Sequence, residues 1–234
     1  MMQADATDMF GGDWEQIELG PGAGAGRPGQ VIRLHPTTRQ RHLDWLTWGL
    51  MPASTAGDHR ATQPIHARAE TVTELPMFAE AFRKRRAIVP ATAYFQHSTR
   101  GILAQRYAIC RKDGQPLAIA GLWEAFVAPG GEIVRTYSII TAEATGAVAE
   151  IHDRMPLVLE EADWPLWLGE VPGDAARLLH PTGLRLGLCP EKDRRGTDNP
   201  VRQRASICAT YTMPTSGLCR PELENGACWW QLPQ

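Results

Sequence analysis

The chain has 234 residues, with 24 basic and 26 acidic side chains and a formal net charge of −2. This near balance excludes a globally basic nucleic-acid-binding protein, so any contact with nucleic acid must depend on a local patch. The length and a hydrophobic content of 43% suffice for a sizeable core, which predicts a soluble globular protein of one or at most two domains.

Cysteine usage and the absence of apolar runs bear on the compartment. The five cysteines are odd in number, widely spaced and contain no C-x-x-C pair, which argues against a disulfide framework or a zinc ribbon and for a reducing environment. No apolar stretch approaches the roughly 20 residues of a membrane span. The first residues lack the basic and apolar regions of a signal peptide. We therefore expect a cytoplasmic protein with no membrane contact.

In chain order, residues 1–29 are rich in Gly, Asp and Ala and are predicted to be a flexible segment. Residues 30–189 are predicted to form the folded domain. Its first strands are expected at residues 31–34 and 43–50, where β-branched and aromatic side chains are frequent. Residues 52–64 are predicted to be a polar loop. After about residue 190 no period is sustained, so 190–234 is expected to be an irregular tail.

A helix is predicted from Thr73, with this residue as the cap, Pro76 in the first turn and apolar residues at helical spacing. The run Arg83, Lys84, Arg85 and Arg86 would end the helix, where its dipole favours positive charge. Four strands are predicted next, at residues 87–89, 103–109, 117–122 and 133–141. The last two are nearly continuous apolar runs, typical of a sheet that is buried on both faces.

The compact segment Ile151-His152-Asp153-Arg154-Met155-Pro156 contains a histidine, which titrates near neutral pH, between residues of opposite charge. Residues 142–150 are predicted to be a short helix that leads to His152. A strand is expected at residues 157–159 and a helical turn at 163–168, ended by Gly169. Without further context, a structural hydrogen-bonded cluster is a better explanation of this segment than catalysis, and only a family match would reverse that preference.

Six short motifs follow one another along the chain: WGLMP at 48–52, HARAET at 66–71, RRAIVPA at 85–91, AGLWE at 120–124, IIT at 139–141 and IHDRMP at 151–156. In this order they resemble the motifs of the SRAP family, the SOS response-associated peptidases or abasic site processing proteins. The match extends from about Val31 to Gly169. It implies a single α+β domain with a distorted, barrel-like mixed sheet and short flanking helices, and a positively charged channel for single-stranded or abasic DNA. It implies no cofactor, and we expect a monomer.

In that family a cysteine directly after the initiator methionine reacts with the abasic aldehyde to give a thiazolidine cross-link. The resemblance assigns catalytic positions to His66, Gln96 and His152, where the family has asparagine, glutamate and histidine. Only the carboxylate and imidazole of that set could move protons during imine formation and release. The resemblance also implies phosphate contacts from Arg68, Arg85 and Arg86. Trp48 is a further candidate DNA contact, as a stacking surface for bases.

This sequence has Met2 at the cysteine position and no cysteine before Cys110. One hypothesis is a miscalled N-terminus, with active cross-linking and autoproteolytic peptidase chemistry. The favoured hypothesis is a protein of the DNA damage response that binds single-stranded or abasic DNA without the stable cross-link. Arginines would neutralise phosphates and Trp48 could stack on bases, although core packing is the commoner role of such a tryptophan. A third hypothesis is a lyase-like enzyme that uses the α-amine, with a pKa of about 8, and His152.

Two other types of site receive little support. A metal held by His66, His152 and His97 is not expected, because His97 follows Gln96 on a strand and neighbouring strand residues point to opposite faces. A Ser–His hydrolase has no G-x-S-x-G motif to support it. Glu70 and Glu124 are predicted to be partners of arginines rather than general bases.

Overall fold

Five strands form a closed ring, and this ring positions the other elements of the domain. The computed structural model describes residues 24–52, 62–100, 105–128 and 130–190. The ring follows the order β2-β1-β4-β7-β8 and closes where β2 pairs in parallel with β8. Its strands are β1 (Pro28–Leu34), β2 (Arg41–Trp48), β4 (Arg86–Ala91), β7 (Leu117–Val127) and β8 (Ile133–Glu143).

Two short strands pair with the second half of β8, one on each side, and so extend the sheet. Strand β3 (His66–Arg68) pairs with β8 in parallel, and β9 (Arg154–Pro156) pairs with it antiparallel. A separate antiparallel sheet has the order β10-β6-β5 and consists of β5 (Tyr94–His97), β6 (Arg106–Arg111) and β10 (Leu186–Pro190). The result is the predicted α+β domain with a barrel-like mixed sheet.

Strands β7 and β8 bury both of their faces over most of their length, as their apolar runs predicted. On β7, Ala118, Ala120 and Leu122 belong to one apolar cluster and Leu117 and Ile119 to another. We call these clusters the helix-side core and the small-sheet-side core. The first is covered by helix α1 (Pro76–Lys84) and helix α2 (Trp164–Leu168), and the second by β6, β10 and the 3-10 helix Gly146–Glu150. Each face of the ring therefore has its own layer.

Helix α1 illustrates why these residues form this element. Phe78, Ala81 and Phe82 fall at helical spacing and are buried, while basic residues occupy the last turn. The helix begins later than predicted: Leu75 is the N-cap residue and Pro76 opens the first turn, so the prediction of Thr73 as the cap was wrong. Proline is favoured at this position because the first N–H groups of a helix have no partner within it.

The segment around His152 also differs from its prediction. Strand β8 continues to Glu143, and only residues 146–150 form a 3-10 helix. The strand expected at 157–159 is found a few residues earlier, where Arg154–Pro156 form β9. Val158 makes only a single β-bridge, to Ile119. Gly169 ends helix α2 with φ of 83°, a left-handed conformation that glycine adopts without steric cost, as predicted.

Strand β1 begins at Pro28, inside the segment predicted to be flexible. The rest of that segment up to residue 23, most of the predicted polar loop and the predicted tail lie outside the described residues. None of the helices in the described ranges combines the length and apolar composition needed to cross a bilayer.

Candidate nucleic-acid interface

Strand β3 presents two of the predicted site residues on one face. His66 and Arg68 are exposed, while Ala67 between them is 1% exposed and belongs to the helix-side core. The register pairs His66 with Ile139 and Arg68 with Thr141 of β8. Because side chains alternate along a strand, His66 and Arg68 lie on the face opposite Ala67, the face of the small-sheet-side core.

The His66 ring packs against Trp48. Their ring centroids are 5.8 Å apart at 64°, and Trp48 in turn stacks on Tyr137 at 6.2 Å and 11°. Although part of His66 faces solvent, burial of the ring by its neighbours lowers its pKa from the ordinary 6.5. The imidazole of His66 is therefore neutral at pH 7 and can accept a proton or a hydrogen bond.

Trp48 is half-buried, and its Nε1 donates a hydrogen bond of 2.8 Å to the carbonyl oxygen of Ile65. This bond holds the indole beside the start of β3. The tryptophan thus packs partly into the small-sheet-side core, and its role as a stacking surface for bases stays a prediction.

His152 follows the 3-10 helix 146–150, and its ring is held by the backbone of its own loop. Two backbone groups of Arg154 lie within hydrogen-bond distance of Nδ1: the amide N–H at 2.9 Å, which donates to an unprotonated Nδ1, and the carbonyl oxygen at 3.1 Å, which accepts from a protonated one. In either tautomer Nε2 is the nitrogen left for other partners. The Asp153 carboxylate, 3.0 Å from Nδ1, would accept a hydrogen bond from the protonated ring. With 20% of its side chain exposed, His152 is accessible yet oriented.

Arg154 connects the histidine loop to β3, and sequence reasoning did not include it among the site residues. Its guanidinium donates to both oxygens of Glu70, at 2.7 and 3.0 Å, and to the carbonyl oxygen of Thr141 at 2.6 Å. The hydrogen bond from Arg154 lowers the pKa of Glu70. The prediction that Glu70 is an arginine partner is confirmed. The signal that could have found Arg154 is its position two residues after His152.

Gln96 lies on the same side of the large sheet as His66 and His152. Gln96 shares one face of β5 with Tyr94 and is paired with Tyr107 of β6, and both tyrosines pack against the small-sheet-side core. The loop after β5 reaches the histidine segment, because the amide of Thr99 donates to the carbonyl oxygen of Ile151 at 2.9 Å. His66, Gln96 and His152 thus belong to elements on one face of the ring. His97, by the alternation of β5, points the other way, as expected.

Arg85 and Arg86 have partners within the protein. Arg85 donates to the Glu124 carboxylate at 2.6 Å, which confirms the predicted pairing of Glu124 with an arginine. Arg86 donates to the carbonyl oxygens of Trp167 and of Phe82, the latter at 2.6 Å, so it joins the end of α1 to α2. These contacts are structural and lie at the helix layer. A contact of either arginine with DNA stays a prediction.

By contrast, the exposed guanidinium of Arg68 makes no hydrogen bond or ion pair among the described residues, although its charge adds to the effect of Arg154 in lowering the pKa of Glu70. In the same ranges, no three His, Cys, Asp or Glu side chains converge in a way that could hold a metal ion. This face therefore offers four groups. They are the exposed cation of Arg68, the ion pair of Arg154 with Glu70, the neutral imidazole of His66 and the imidazole of His152, whose Nε2 is available.

Comparison with known proteins agrees with this architecture. Residues 23–189 match the family model described as SOS response associated peptidase (SRAP). The abasic site processing protein YedK of Escherichia coli is 32% identical over 155 residues, 66% of this chain and 68% of that protein. YoqW of Bacillus subtilis, also an abasic site processing protein, is 32% identical over 129 residues, 54% of this chain. The match spans 57% of the length of YoqW.

Solved structures show the same fold. A protein from Bacteroides thetaiotaomicron superposes with a TM-score of 0.64 at 27% identity, covering 72% of this chain and 75% of that one. A protein from Bordetella bronchiseptica superposes with a TM-score of 0.58 at 26% identity, covering 72% and 85%. Because the family model matches most of its length, this chain belongs to the SOS response associated peptidase family.

Proposed function

We propose that this protein acts on abasic sites in DNA as part of a DNA damage response, and that it binds the damaged strand in single-stranded form. The relatives YedK and YoqW are abasic site processing proteins. The observation that carries the proposal is the pair His66 and Arg68 on the free face of β3, joined through Glu70 and Arg154 to the histidine segment.

Arg68 and Arg154 have different roles in this proposal. Arg68 is exposed without a protein partner in the described ranges, so its guanidinium can donate to a phosphate without losing an existing ion pair. Arg154 is already held by Glu70 and Thr141, so it keeps the histidine segment next to β3. A single DNA strand that lies along this face would pass the imidazoles of His66 and His152, and Arg68 would neutralise one of its phosphates.

The proton chemistry of the face differs from that of the family pattern. Gln96 has no carboxylate, so it can hydrogen-bond an aldehyde or sugar hydroxyl but cannot take up a proton near neutral pH. His66 and His152 are the imidazole groups of this face that could exchange protons with a bound abasic residue. We propose that the protein recognises and holds the abasic residue without the stable thiazolidine cross-link, because Gln96 stands where the family has a carboxylate.

The binding proposal is tested by reversing the charge of Arg68. Arg68→Glu should abolish or strongly weaken binding of a single-stranded oligonucleotide in a gel-shift assay, and the salt dependence of log K should fall by about 0.7 per lost phosphate contact. Arg177→Glu is the matched control, since Arg177 is an exposed arginine in the 3-10 helix Ala175–Leu178, next to the helix-side core. Unchanged affinity and salt dependence for Arg68→Glu would contradict the proposal.

A second function, reversible Schiff-base formation with the abasic aldehyde, is favoured by the orientation of His152. The backbone contact to Nδ1 leaves Nε2 as the nitrogen that could exchange a proton with the carbinolamine. An amine of the protein would attack the aldehyde carbon, and loss of water would give the imine. Borohydride reduction in the presence of abasic single-stranded DNA should then leave a covalent adduct, weaker in His152→Ala. If no adduct forms with the unaltered protein, binding without covalent chemistry is the remaining function.

A further inference from the structure

Two cations face each other at the ends of β6 and β10, away from the residues discussed above. Leu186 pairs with Arg111 in the antiparallel register, and the amide of Lys112 donates to the carbonyl oxygen of Arg185 at 2.9 Å. Lys112 and Arg185 are therefore cross-strand neighbours. Such neighbours have Cβ atoms roughly 4.5–5.5 Å apart, and like charges at these positions repel each other. Something must offset this repulsion, or the arrangement costs stability.

No carboxylate of the described residues offsets the pair. Neither Lys112 nor Arg185 has a side-chain hydrogen bond or ion pair in those ranges. The adjacent acid, Asp113, is already bound: Arg111 donates to its two oxygens at 2.9 and 2.5 Å, and the amide of Gln115 donates to it at 3.1 Å. The two cations are thus left to an external anion.

The stem of Lys112 is positioned by Gly187 on the neighbouring strand. A side chain at Gly187 would meet Cγ of Lys112 at 3.5 Å and Cε at 3.9 Å. The lysine stem therefore lies across the glycine, and the backbone of β10 supports it. A supported stem loses less conformational entropy when its ammonium binds a ligand.

A cavity of about 590 Å³ opens beside these cations, and its chemistry is divided. Lys112, Arg185 and the hydroxyls of Thr145 and Thr182 supply polar groups, while Met155 and Leu186, each less than 10% exposed, supply an apolar wall. Thr182 donates to the carbonyl oxygen of Val158 at 3.2 Å. The Thr145 hydroxyl has only a weak contact with the Met155 sulfur at 3.9 Å, so it can donate to a ligand instead.

We propose that this cavity binds a nucleotide, with its phosphate between Lys112 and Arg185 and its sugar or base against the apolar wall. The volume is within the range of small-molecule sites, about 300–1,000 Å³. The phosphate can belong to a free nucleotide or to one residue of a nucleic acid strand. The proposal uses none of the residues assigned to abasic-site recognition, so it stands or fails independently of that function.

The test is a titration of the full chain with three probes: inorganic phosphate, deoxyadenosine monophosphate and a single-stranded deoxyadenosine oligonucleotide. Binding is followed by NMR through the amide signals of Thr145, Gly183 and Arg185. The variants Lys112→Gln and Arg185→Gln should each weaken the binding of the mononucleotide or oligonucleotide about tenfold or more, because a charge-assisted hydrogen bond is lost. Lys84→Gln, an exposed lysine at the end of α1, is the control and should bind as the unaltered protein does.

The probes separate the two sources of phosphate. Saturable shifts with the mononucleotide show a free-nucleotide site, and shifts with the oligonucleotide alone show that the phosphate belongs to a strand. If inorganic phosphate saturates the shifts at the same concentration as the mononucleotide does, the apolar wall contributes nothing to binding, and the assignment of the cavity to a nucleotide is refuted. No saturable shift with any probe on the unaltered protein would overturn the proposal, and this result does not depend on the folding of a variant.

Discussion

Replacing Arg85 with alanine tests whether this arginine serves the fold or the DNA. Glu124 is 4% exposed, and its carboxylate accepts a 2.6 Å hydrogen bond from Arg85, whose side chain is 22% exposed. A second carboxylate, Glu80, lies 3.9 Å from Arg85 but is largely exposed. Removing the arginine leaves the Glu124 charge buried without this cation, and breaking a buried pair from one side costs about 3–5 kcal/mol.

Because Arg85 keeps some contact with solvent, the lower end of that range, about 3 kcal/mol, is expected. With a urea m-value of about 3 kcal/mol/M, the unfolding midpoint of Arg85→Ala should fall by about 1 M. Changing Glu124 to Gln in the same chain removes the buried charge and should recover much of the loss. Lys84→Ala, which loses only an exposed pair with Glu80, is the control and should leave the midpoint unchanged.

Binding of single-stranded DNA measured below the urea transition separates the two roles of Arg85. If the arginine acts on the fold, the folded fraction of Arg85→Ala binds as tightly as the unaltered protein. A normal urea midpoint together with a tenfold loss of DNA affinity would refute the reasoning and restore Arg85 as a phosphate contact.

Three further predictions concern the site and its surroundings. Burial lowers the pKa of His66 below 6.5, so the unfolded chain takes up a proton there before the folded protein does, and stability is lost as the pH falls through 6.5. The urea midpoint of His66→Asn, compared with that of the unaltered protein, should therefore be more favourable at pH 5 than at pH 8. An equal difference between the two proteins at both pH values would argue against a desolvated imidazole. Arg154→Ala should cost about 2 kcal/mol and Glu70→Gln less than about 1 kcal/mol in urea unfolding, because the arginine also holds a backbone carbonyl and the glutamate is half-exposed; equal losses would contradict this. Tyr94→Phe removes a buried hydroxyl that has no partner in the described ranges, so thermal unfolding should show unchanged or slightly higher stability, by up to about 1 kcal/mol, and a clear loss would reveal a partner.

Local patterns in the chain predicted most of the long elements. The apolar runs at 117–122 and 133–141 required strands buried on both faces, and the two cores meet on those strands. Gly169 ended its helix as its conformational freedom suggested. Strands β3, β5 and β10 escaped prediction, and each has five residues or fewer. Because β3 and β10 also pair with segments far away in the sequence, their stability comes from the partner strand and not from their own composition.

The candidate site shows the same division. Motif order alone pointed to His66, Gln96 and His152, and their residue types limited the chemistry, since an amide cannot replace a carboxylate as a base. The bidentate pair of Arg154 and Glu70, 84 positions apart, could not be read from spacing, because it depends on β3 and β9 lying along the same strand β8.

Residue types and their order therefore established the family resemblance, the barrel-like α+β class and the chemical groups available to the site. Tertiary structure alone decided which arginines are free. Arg68, Arg85 and Arg86 are equivalent as charges in a sequence, yet Arg85 meets a buried carboxylate and Arg86 meets backbone carbonyls, whereas Arg68 projects from a short strand without a described partner. The physical reason is that availability to a phosphate depends on what already solvates a guanidinium, and that is set by the packing of distant segments.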